Sequence, residues 1–425
     1  MKTLTLGRSI RLPARYQGST LPVSLRGDLV PSSRTGVELG TRTPDHRETQ
    51  QETVVLVGPA DWPQNIYLAE AIFNSGYRVE FVTTPWAFAN ALPWLHLCQV
   101  ESFDSDALAG VIRSAHENDR VRWIIPLAED TIWAIRDLLP HSEKVFSPLS
   151  EENTARLLSK QSMQRFAAGL GITVPREFAI DSLNAAMLAS HSLGFPCVLK
   201  GEAGCAGAQV AICHNEQELS LSWARLKEKK PSLQQFIDGN SWAAGGFFDK
   251  GQPVRVHIYE KLAQSPPRIG PPTRIRHDSP IELREALFLI AKSMKWTGFL
   301  QVDFIRAADG QFFFLEINPR PWGSMTAANV VGSDIFGPFI DLLHDRRLKP
   351  CLENGDGWSG YVFPKPVINQ LSSGQLVGAC LALLAPKFWL SIPSGYPWAK
   401  RLFVEEFLNV RKIYWALLRR YNHTP

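Results

Sequence analysis

The sequence predicts an α/β unit followed by an α+β unit in one chain. Three observations carry this. Between Val54 and Leu127 short apolar runs alternate with helix-period stretches, the pattern of a parallel sheet covered on both faces. Between Cys197 and Asn318 strands adjoin strands through turns and a hairpin, with few helices among them, which is the antiparallel α+β pattern. The chain has 425 residues, 45% apolar and 20% charged, a globular composition with length for two or three domains.

Residues 1–52 are polar and lack sustained periodicity, so they read as a disordered extension; their Arg, Ser and Thr content also allows an organelle transit segment. Val54–Val57 is a short buried strand closed by Gly58-Pro59. Ile66–Phe73 repeats apolar residues at helical spacing, with Gly76 as a stop. Arg78–Thr83 is the next strand, Leu108–Ser114 a helix, and Trp123–Leu127 another strand. A single helix is predicted over Thr154–Ala168, ended by Gly169-Leu170-Gly171 and Pro175. Cys197–Lys200, Gln209–Cys213, Leu233–Ile237, Trp242–Phe248 and Val254–Leu262 read as strands, with a turn at Asp249-Lys250-Gly251. A Pro-rich loop, a helix over Pro280–Met294 and a hairpin of Phe299–Arg306 with Phe312–Asn318 complete the unit. The expected domains are 53–148 and 149–345, flanked by the extension 1–52 and a helical C-terminal extension, 346–425.

Several function classes are excluded. Net charge is +4, and the basic excess lies at the ends: eight Lys/Arg against four Asp/Glu in residues 1–50, seven against two in 385–425. The centre is therefore net acidic, and no nucleic-acid stripe is expected on it. Six cysteines with no Cys-x-x-Cys make neither a disulfide framework nor a zinc ribbon. Cys197, Cys205 and Cys213 read as small core or loop residues, and a reducing, cytoplasmic setting is expected. No apolar run is long enough to cross a bilayer. The turn Gly58-Pro59-Ala60-Asp61-Trp62 lacks the three spaced glycines of a dinucleotide site, and no P-loop signature is present.

The most informative stretch is the hairpin Leu300–Arg320. If Asp309-Gly310 is a two-residue turn, Ala308 pairs with Gln311, and Asp303 then lies opposite Glu316. Asn318 shares the face of Glu316. Like charges directly opposite destabilise a sheet, and the neighbours Val302, Phe304, Phe314, Leu315 and Ile317 are apolar. Two carboxylates and an amide converging there suggest a Mg²⁺ site completed by phosphate oxygens. The plainer alternative is a hairpin whose acids point to solvent. A three-residue loop would change the parity and break the argument.

Lys200 ends an apolar strand, so its stem is expected to be buried with the ammonium at the strand edge. Gly204 and Gly207 follow in a small-residue loop that could bring backbone N–H groups to an anion; a plain flexible loop is the alternative. Lys160, within the predicted helix, taken alone reads as a solvated surface lysine.

Together these features resemble the ATP-grasp superfamily of ATP-dependent ligases, over roughly residues 54–345. The order of parts carries the resemblance: an α/β domain, Lys160, Leu170-Gly-Ile-Thr-Val-Pro175, Cys197-Val-Leu-Lys200 with its glycine loop, Leu233-Gln-Gln-Phe-Ile-Asp-Gly239, then Asp303 and Glu316-Ile-Asn318-Pro-Arg320. It implies a Rossmann-like pre-ATP-grasp domain followed by an ATP-grasp fold. It also implies that Lys160 and Lys200 contact ATP phosphates, that Gln234, Gln235, Phe236 and Ile237 line the adenine pocket, and that Leu315 packs on the base. Asp303, Glu316 and Asn318 would hold Mg²⁺, with Mn²⁺ as a substitute, and Arg320 would steady an acyl phosphate or its carboxylate precursor. Trp322-Gly323-Ser324 is similar to an Asn-Pro-Arg-x-Trp-Gly-Ser form among carboxylate–amine ligases. There are departures. Gln235 stands where many members place Glu, and Asn240 and Ser241 leave the ribose contact unassigned. The loop has fewer glycines than a biotin carboxylase shows, and the chain is too short for the large subunit of carbamoyl-phosphate synthetase.

The implied activity is an ATP- and Mg²⁺-dependent ligase joining a small-molecule carboxylate to an amine through an acyl phosphate, with release of ADP and phosphate. The rivals are an ATP-grasp enzyme that takes bicarbonate or another small acid, and a non-catalytic ATP-binding protein on the same fold. A homodimer is compatible with the reading. In the C-terminal extension Trp389, Trp398, Phe403, Phe407 and Trp415 are interleaved with Lys400, Arg401, Arg411, Lys412, Arg419 and Arg420. The expectation is a packed terminal helix with a solvated basic face, and a membrane-surface contact is the less favoured alternative.

Overall fold

The protein is described here from a computed structural model, which covers residues 51–85, 92, 94–146, 149–202, 209–363, 367, 370–371, 376–385 and 388. The expectations for the extension 1–50, for Gly204 and Gly207, and for the aromatic and basic residues from Trp389 onward fall outside the described residues.

Four parallel strands form the first sheet: β1 (Thr53–Val57), β2 (Arg78–Thr83), β3 (His96–Gln99) and β4 (Val121–Pro126), in the order β3-β2-β1-β4. The run Val54–Val57 is buried on both faces. Val54 and Leu56 belong to one core cluster, Val55 and Val57 to another, as alternation requires of a central parallel strand. Helices α1 (Pro63–Asn74), α2 (Ser105–Glu117) and α3 (Glu129–Leu138) connect or follow these strands. β3 and α3 were not expected from the sequence; His96–Gln99 is too short and too polar to stand out.

The predicted helix over Thr154–Ala168 is two helices, α4 (Glu151–Leu157) and α5 (Lys160–Gly169). The break is a cap. Ser159 is extended, its side chain accepts from the Ser162 backbone N–H, and Ser162 Oγ returns the bond to Ser159 N–H. Lys160 is thus the first helical residue, not a mid-helix surface lysine.

A four-stranded antiparallel sheet follows: β5 (Glu177–Ala179), β6 (Cys197–Lys200), β7 (Val210–Cys213) and β8 (Ser232–Gln235), in the order β5-β8-β6-β7. It is backed by α6 (Leu183–Leu193) and α7 (Glu216–Leu226) through Ala186, Ala189, Leu199, Leu219 and Leu233. Cys197 and Cys213 pair across β6 and β7 as buried free thiols, and burial pushes the Cys197 thiol up to about 12. β8 ends at Gln235, so Phe236 and Ile237 lie on the link out of the sheet rather than on the strand.

The largest sheet has six strands in the order β13-β12-β9-β10-β11-β14. They are β9 (Gly239–Asp249), β10 (Gln252–Gln264), β11 (Pro272–His277), β12 (Gly298–Ala307), β13 (Phe312–Asn318) and β14 (Ser359–Tyr361). α8 (Ile281–Ser293) covers one face: Leu283, Leu287 and Ile290 meet Trp242, Ala244, Ile258, Leu300, Val302, Phe304, Phe314 and Ile317. Strand alternation then sends Gln301, Asp303, Tyr259 and Lys261 to the opposite face. β14, from beyond residue 345, completes the edge beside β11. Farther on, Ala379, Ala382 and Phe388 join the core cluster that holds Val54, Leu56 and Trp322.

Candidate functional site

The β12–β13 hairpin sets two carboxylates side by side, by a route the sequence did not reveal. The turn is not a two-residue one. Ala307 and Gln311 close it, with Ala307 N–H donating to Gln311 O (2.9 Å) and Gly310 N–H to Ala307 O (2.9 Å), and Gly310 has φ +91°. That three-residue loop gives the pairs Arg306–Phe312, Ile305–Phe313 and Phe304–Phe314, one step out of the expected register. The register then shifts between Asp303 and Phe304, leaving Leu315 as the extra residue, and Asp303 pairs with Glu316 after all. The bulge also lets Phe314 and Ile317 both enter the core beneath α8 while Glu316 stays on the open face.

Cations surround these acids. Lys160 Nζ is 3.4 Å from Glu316 Oε2, and Lys261 Nζ is 2.8 Å from Asp303 Oδ1. α5 holds Lys160 in place because Gln164 Nε2 donates to Leu315 O at 3.1 Å. Lys261 reaches Asp303 across β9, where Asp303 and Tyr259 both pair with Ala243, too small to separate them. Gln301 Nε2 donates to Tyr259 Oη at 3.0 Å, and Tyr259 hydrogen-bonds Ser324 Oγ, so buried side chains tie the segment after β13 to the acid face. At Gly245, next along β9, an added Cβ would stand 2.8 Å from the Trp322 ring.

Burial pushes the Glu316 carboxyl up, but Lys160, Lys200, Lys261 and Arg320 together outweigh it and hold the group below its ordinary range. At Asp303 burial wins: with Glu316 opposite adding repulsion and Lys261 only partly compensating, its carboxyl is raised. The two acids are therefore pulled apart in acidity.

Lys200, at the end of β6, is 5% exposed, and its Nζ lies 3.9 Å from Glu177 Oε2. Burial lowers its affinity for a proton, against the pull of Glu177. Gln234 Nε2 donates to the same Glu177 oxygen at 3.2 Å, and Ser232 Oγ donates to the other. Gln234 thus serves the Lys200–Glu177 pair through its side chain. Gln235 is bound to Arg176, whose backbone N–H donates to Gln235 Oε1 at 3.3 Å. The Phe236 ring lies under the Arg268 guanidinium at 5.5 Å, and Ile237 is buried. Asp238 pairs with Arg268 at 3.1 Å, and Asn240 donates to Glu260 at 2.9 Å.

Arg320 is 9% exposed and held on several sides. Its Nη2 donates to Asn318 Oδ1 at 3.2 Å, its Nε to Glu129 Oε2 at 2.6 Å, and its guanidinium lies 4.8 Å from the Trp62 ring centre. The structure therefore gathers Lys160, Lys200, Asp303, Glu316, Asn318 and Arg320 into one electrostatic cluster. Sequence reasoning missed Lys261, Glu177, Gln301, Tyr259, Trp62 and Glu129. None of them left a local signal: even Lys261 stands in a strand that also carries Arg255, His257 and Glu260.

Asp303, Glu316 and Asn318 offer oxygen donors only, which suits a hard cation such as Mg²⁺ that takes one or two carboxylates and leaves its other positions to phosphate. Among the described residues no group of three or more His, Cys, Asp or Glu could hold a metal alone, so a cation here would need oxygens from a bound molecule. Four cations face four carboxylates (Lys160, Lys200, Lys261 and Arg320 against Glu316, Glu177, Asp303 and Glu129), which leaves little spare positive charge for a polyanion. The donor set and the charge balance both fit a divalent cation arriving with phosphate.

Residues 159–324 match the family described as an ATP-grasp domain, and they span both antiparallel sheets, except the edge strand β14, together with Asp303 and Glu316. The chain thus carries an ATP-grasp domain, in an ATP-grasp fold preceded by a parallel α/β domain. Among solved structures it is similar to N5-carboxyaminoimidazole synthetase from Staphylococcus aureus complexed with ADP, with TM-score 0.58, 15% identity, and coverage of 71% of this chain and 79% of that one. It is likewise similar to the biotin carboxylase domain dimer of 2-oxoglutarate carboxylase from Hydrogenobacter thermophilus, solved with MgADP, ADP and bicarbonate, at TM-score 0.58, 15% identity and 72% coverage of each chain. A curated relative, the carbamoyl phosphate synthase large chain of Gemmatimonas aurantiaca, is 23% identical over 177 residues, which is 38% of this chain and 16% of that protein's length. No described helix is long and apolar enough to cross a membrane.

Proposed function

We propose that the protein is an ATP-dependent, ADP-forming ligase that joins a carboxylate to an amine. The observation that carries this is the cross-strand pair Asp303–Glu316, set on one sheet face and opposed by Lys160, Lys200, Lys261 and Arg320. Lys160 and Lys200 bind the phosphates of ATP. Gln234 and Gln235 at the end of β8, with Phe236 and Ile237 on the link between the two sheets, line the adenine pocket, and Leu315 packs on the base. Asp303, Glu316 and Asn318 hold Mg²⁺, which when bound neutralises phosphate charge. Arg320 holds the substrate carboxylate in line. An oxygen of that carboxylate attacks the γ-phosphorus, and the bond to the ADP oxygen breaks. The amine nitrogen then attacks the acyl carbon, phosphate leaves with the bonding electrons, and the nitrogen gives up a proton. Positioning and charge neutralisation suffice, and no enzyme nucleophile is required.

A second reading takes bicarbonate as the acid. It is favoured by the similarity to a biotin carboxylase domain solved with bicarbonate and MgADP. ADP release measured over a panel of amino acids, small carboxylates and bicarbonate, alone and paired with amines, separates the two by product. The double variant Asp303→Asn with Glu316→Gln is expected to abolish ADP release while remaining folded. Full release from it at saturating ATP and Mg²⁺ refutes the metal assignment.

A further inference from the structure

The first sheet has a topological switch point. From β1 the chain runs outward through β2 to β3, then returns to the other side of β1 as β4. In open parallel sheets, ligands bind in the crevice outside the carboxyl ends of the two strands at such a point. Here those ends lead into Gly58–Trp62 and Leu127–Glu129. The two loops touch, since a Cβ on Gly58 would stand 2.9 Å from Leu127 Cβ. Into this crevice, from the acid face of the large sheet, comes Arg320. It meets Trp62 from the loop after β1 and Glu129 from the start of α3.

The two members of the Arg320–Glu129 pair are unequally held. The Arg320 side chain is 9% exposed, stacked on Trp62 and bonded to Asn318 Oδ1 and Pro321 O. The Glu129 side chain is 33% exposed and sits in the first turn of α3, where the helix terminus favours a negative charge wherever the side chain points. The guanidinium is the fixed partner and the carboxylate the movable one. A cavity of about 40 Å³ adjoins Arg320, lined otherwise by mainly apolar residues such as Leu127, Ile132, Phe146, Phe299 and Pro321, so among the described residues the guanidinium is the one charged group a carboxylate would meet there.

We propose that Glu129 is a built-in stand-in for the substrate carboxylate, and that once displaced from Arg320 it receives the ammonium group of the amine substrate. This rests on the ligase reading above. A substrate carboxylate on Arg320 would repel Glu129, because two like charges would then share one guanidinium. An ammonium between them removes the repulsion and gives an alternating row: guanidinium, carboxylate, ammonium, carboxylate. Two consequences follow. Each substrate binds better in the presence of the other, and the ammonium, on passing one proton to the Glu129 carboxylate, becomes a neutral amine with a free lone pair beside the acyl carbon. The substrate class is thereby narrowed to a primary amine that binds as its cation, in place of a neutral amide or a second anion.

The test uses the full chain with Mg·ADP, and thermal stabilisation by two simple probes, acetate for the Arg320 position and methylammonium, titrated at saturating acetate, for the Glu129 position. Glu129→Gln should lower the half-saturating acetate concentration on the order of tenfold, because the competing carboxylate is gone, and raise that of methylammonium by a similar factor. Glu129→Asp, whose shorter side chain falls back from Arg320, should ease acetate binding yet keep the methylammonium response. Arg320→Gln should abolish the acetate response. Shifts in the same direction for both probes, or none in either Glu129 variant, overturn the proposal. Opposed shifts without ADP release from any substrate pair would leave this subsite standing and remove the ligase reading. ADP release without opposed shifts would do the reverse.

Discussion

Lys261→Met removes the cation from the pair that most directly offsets Asp303. The ion pair is 2.8 Å long, and the two side chains are 9% and 15% exposed. Breaking a buried pair from one side leaves an uncompensated charge and costs about 3–5 kcal/mol. The figure falls toward the lower end here, because Gln301 also donates toward Asp303 Oδ1, at 3.4 Å. pH should tune the loss. The carboxyl of Asp303 is already raised in the folded chain, so the folded state holds its proton more tightly than the unfolded one. Its protonated form stabilises the fold at low pH, and that contribution disappears as pH rises through the folded value. Without Lys261 the folded value rises further, so the penalty of the variant is small near pH 4 and largest at neutral pH and above. Mg²⁺ bound together with ADP should restore what the lysine supplied. Urea unfolding at pH 4 and pH 8, with ADP present and with or without millimolar Mg²⁺, measures all of this. A loss that is independent of both pH and Mg²⁺ would refute the claim that Asp303 and Glu316 form a site calling for a cation, and would do so without reference to activity.

Three further outcomes are expected. Lys200→Ala should weaken a non-hydrolysable ATP analogue on the order of 10- to 100-fold, from about 1.5–3 kcal/mol for a charged hydrogen bond, and by more than it weakens folding; an unchanged dissociation constant by calorimetric titration removes Lys200 from the phosphate site. Glu70, buried in α1 with one carboxylate oxygen unpartnered, has its carboxyl raised by burial from 4.5 to about 7, so its protonated form favours the fold below pH 4.5 and this is lost by pH 7 and above. Glu70→Gln should then stabilise the chain at pH 8 by up to about 3 kcal/mol and hardly at all near pH 4, and an equal effect at both in urea unfolding counts against the assignment. Gly245→Ala sets a Cβ against the Trp322 ring and should cost about 1–3 kcal/mol, so a neutral result would show that the ring is free to move.

Much of the frame could be read in the sequence, because periodicity and turn chemistry are local. The strand Val54–Val57, the helix before Gly76, the strand ending in Lys200 and the Asp303–Glu316 hairpin all stand where their patterns put them. The Ser159 cap was not read from the sequence, because the apolar period running from Thr154 into α5 masked it. The hairpin shows the limit of parity arguments. The loop is one residue longer than the two-residue turn, and the bulge at Leu315 restores the pairing. Neither is encoded in alternation alone, since the choice depends on Phe314 and Ile317 both fitting under α8.

The sequence by itself determined many of the elements, the acids and the terminal lysine of β6, because each is a property of a short stretch of chain. Only the tertiary structure decided what those groups face. Lys261 meets Asp303 because the six-stranded order sets β9 between their strands and Ala243 leaves a gap there. Arg320 meets Glu129 and Trp62 because the switch between β1 and β4 opens toward the large sheet. These partners are separated by tens to hundreds of residues. Charges so far apart in sequence become neighbours through strand order and sheet docking, which no local pattern records.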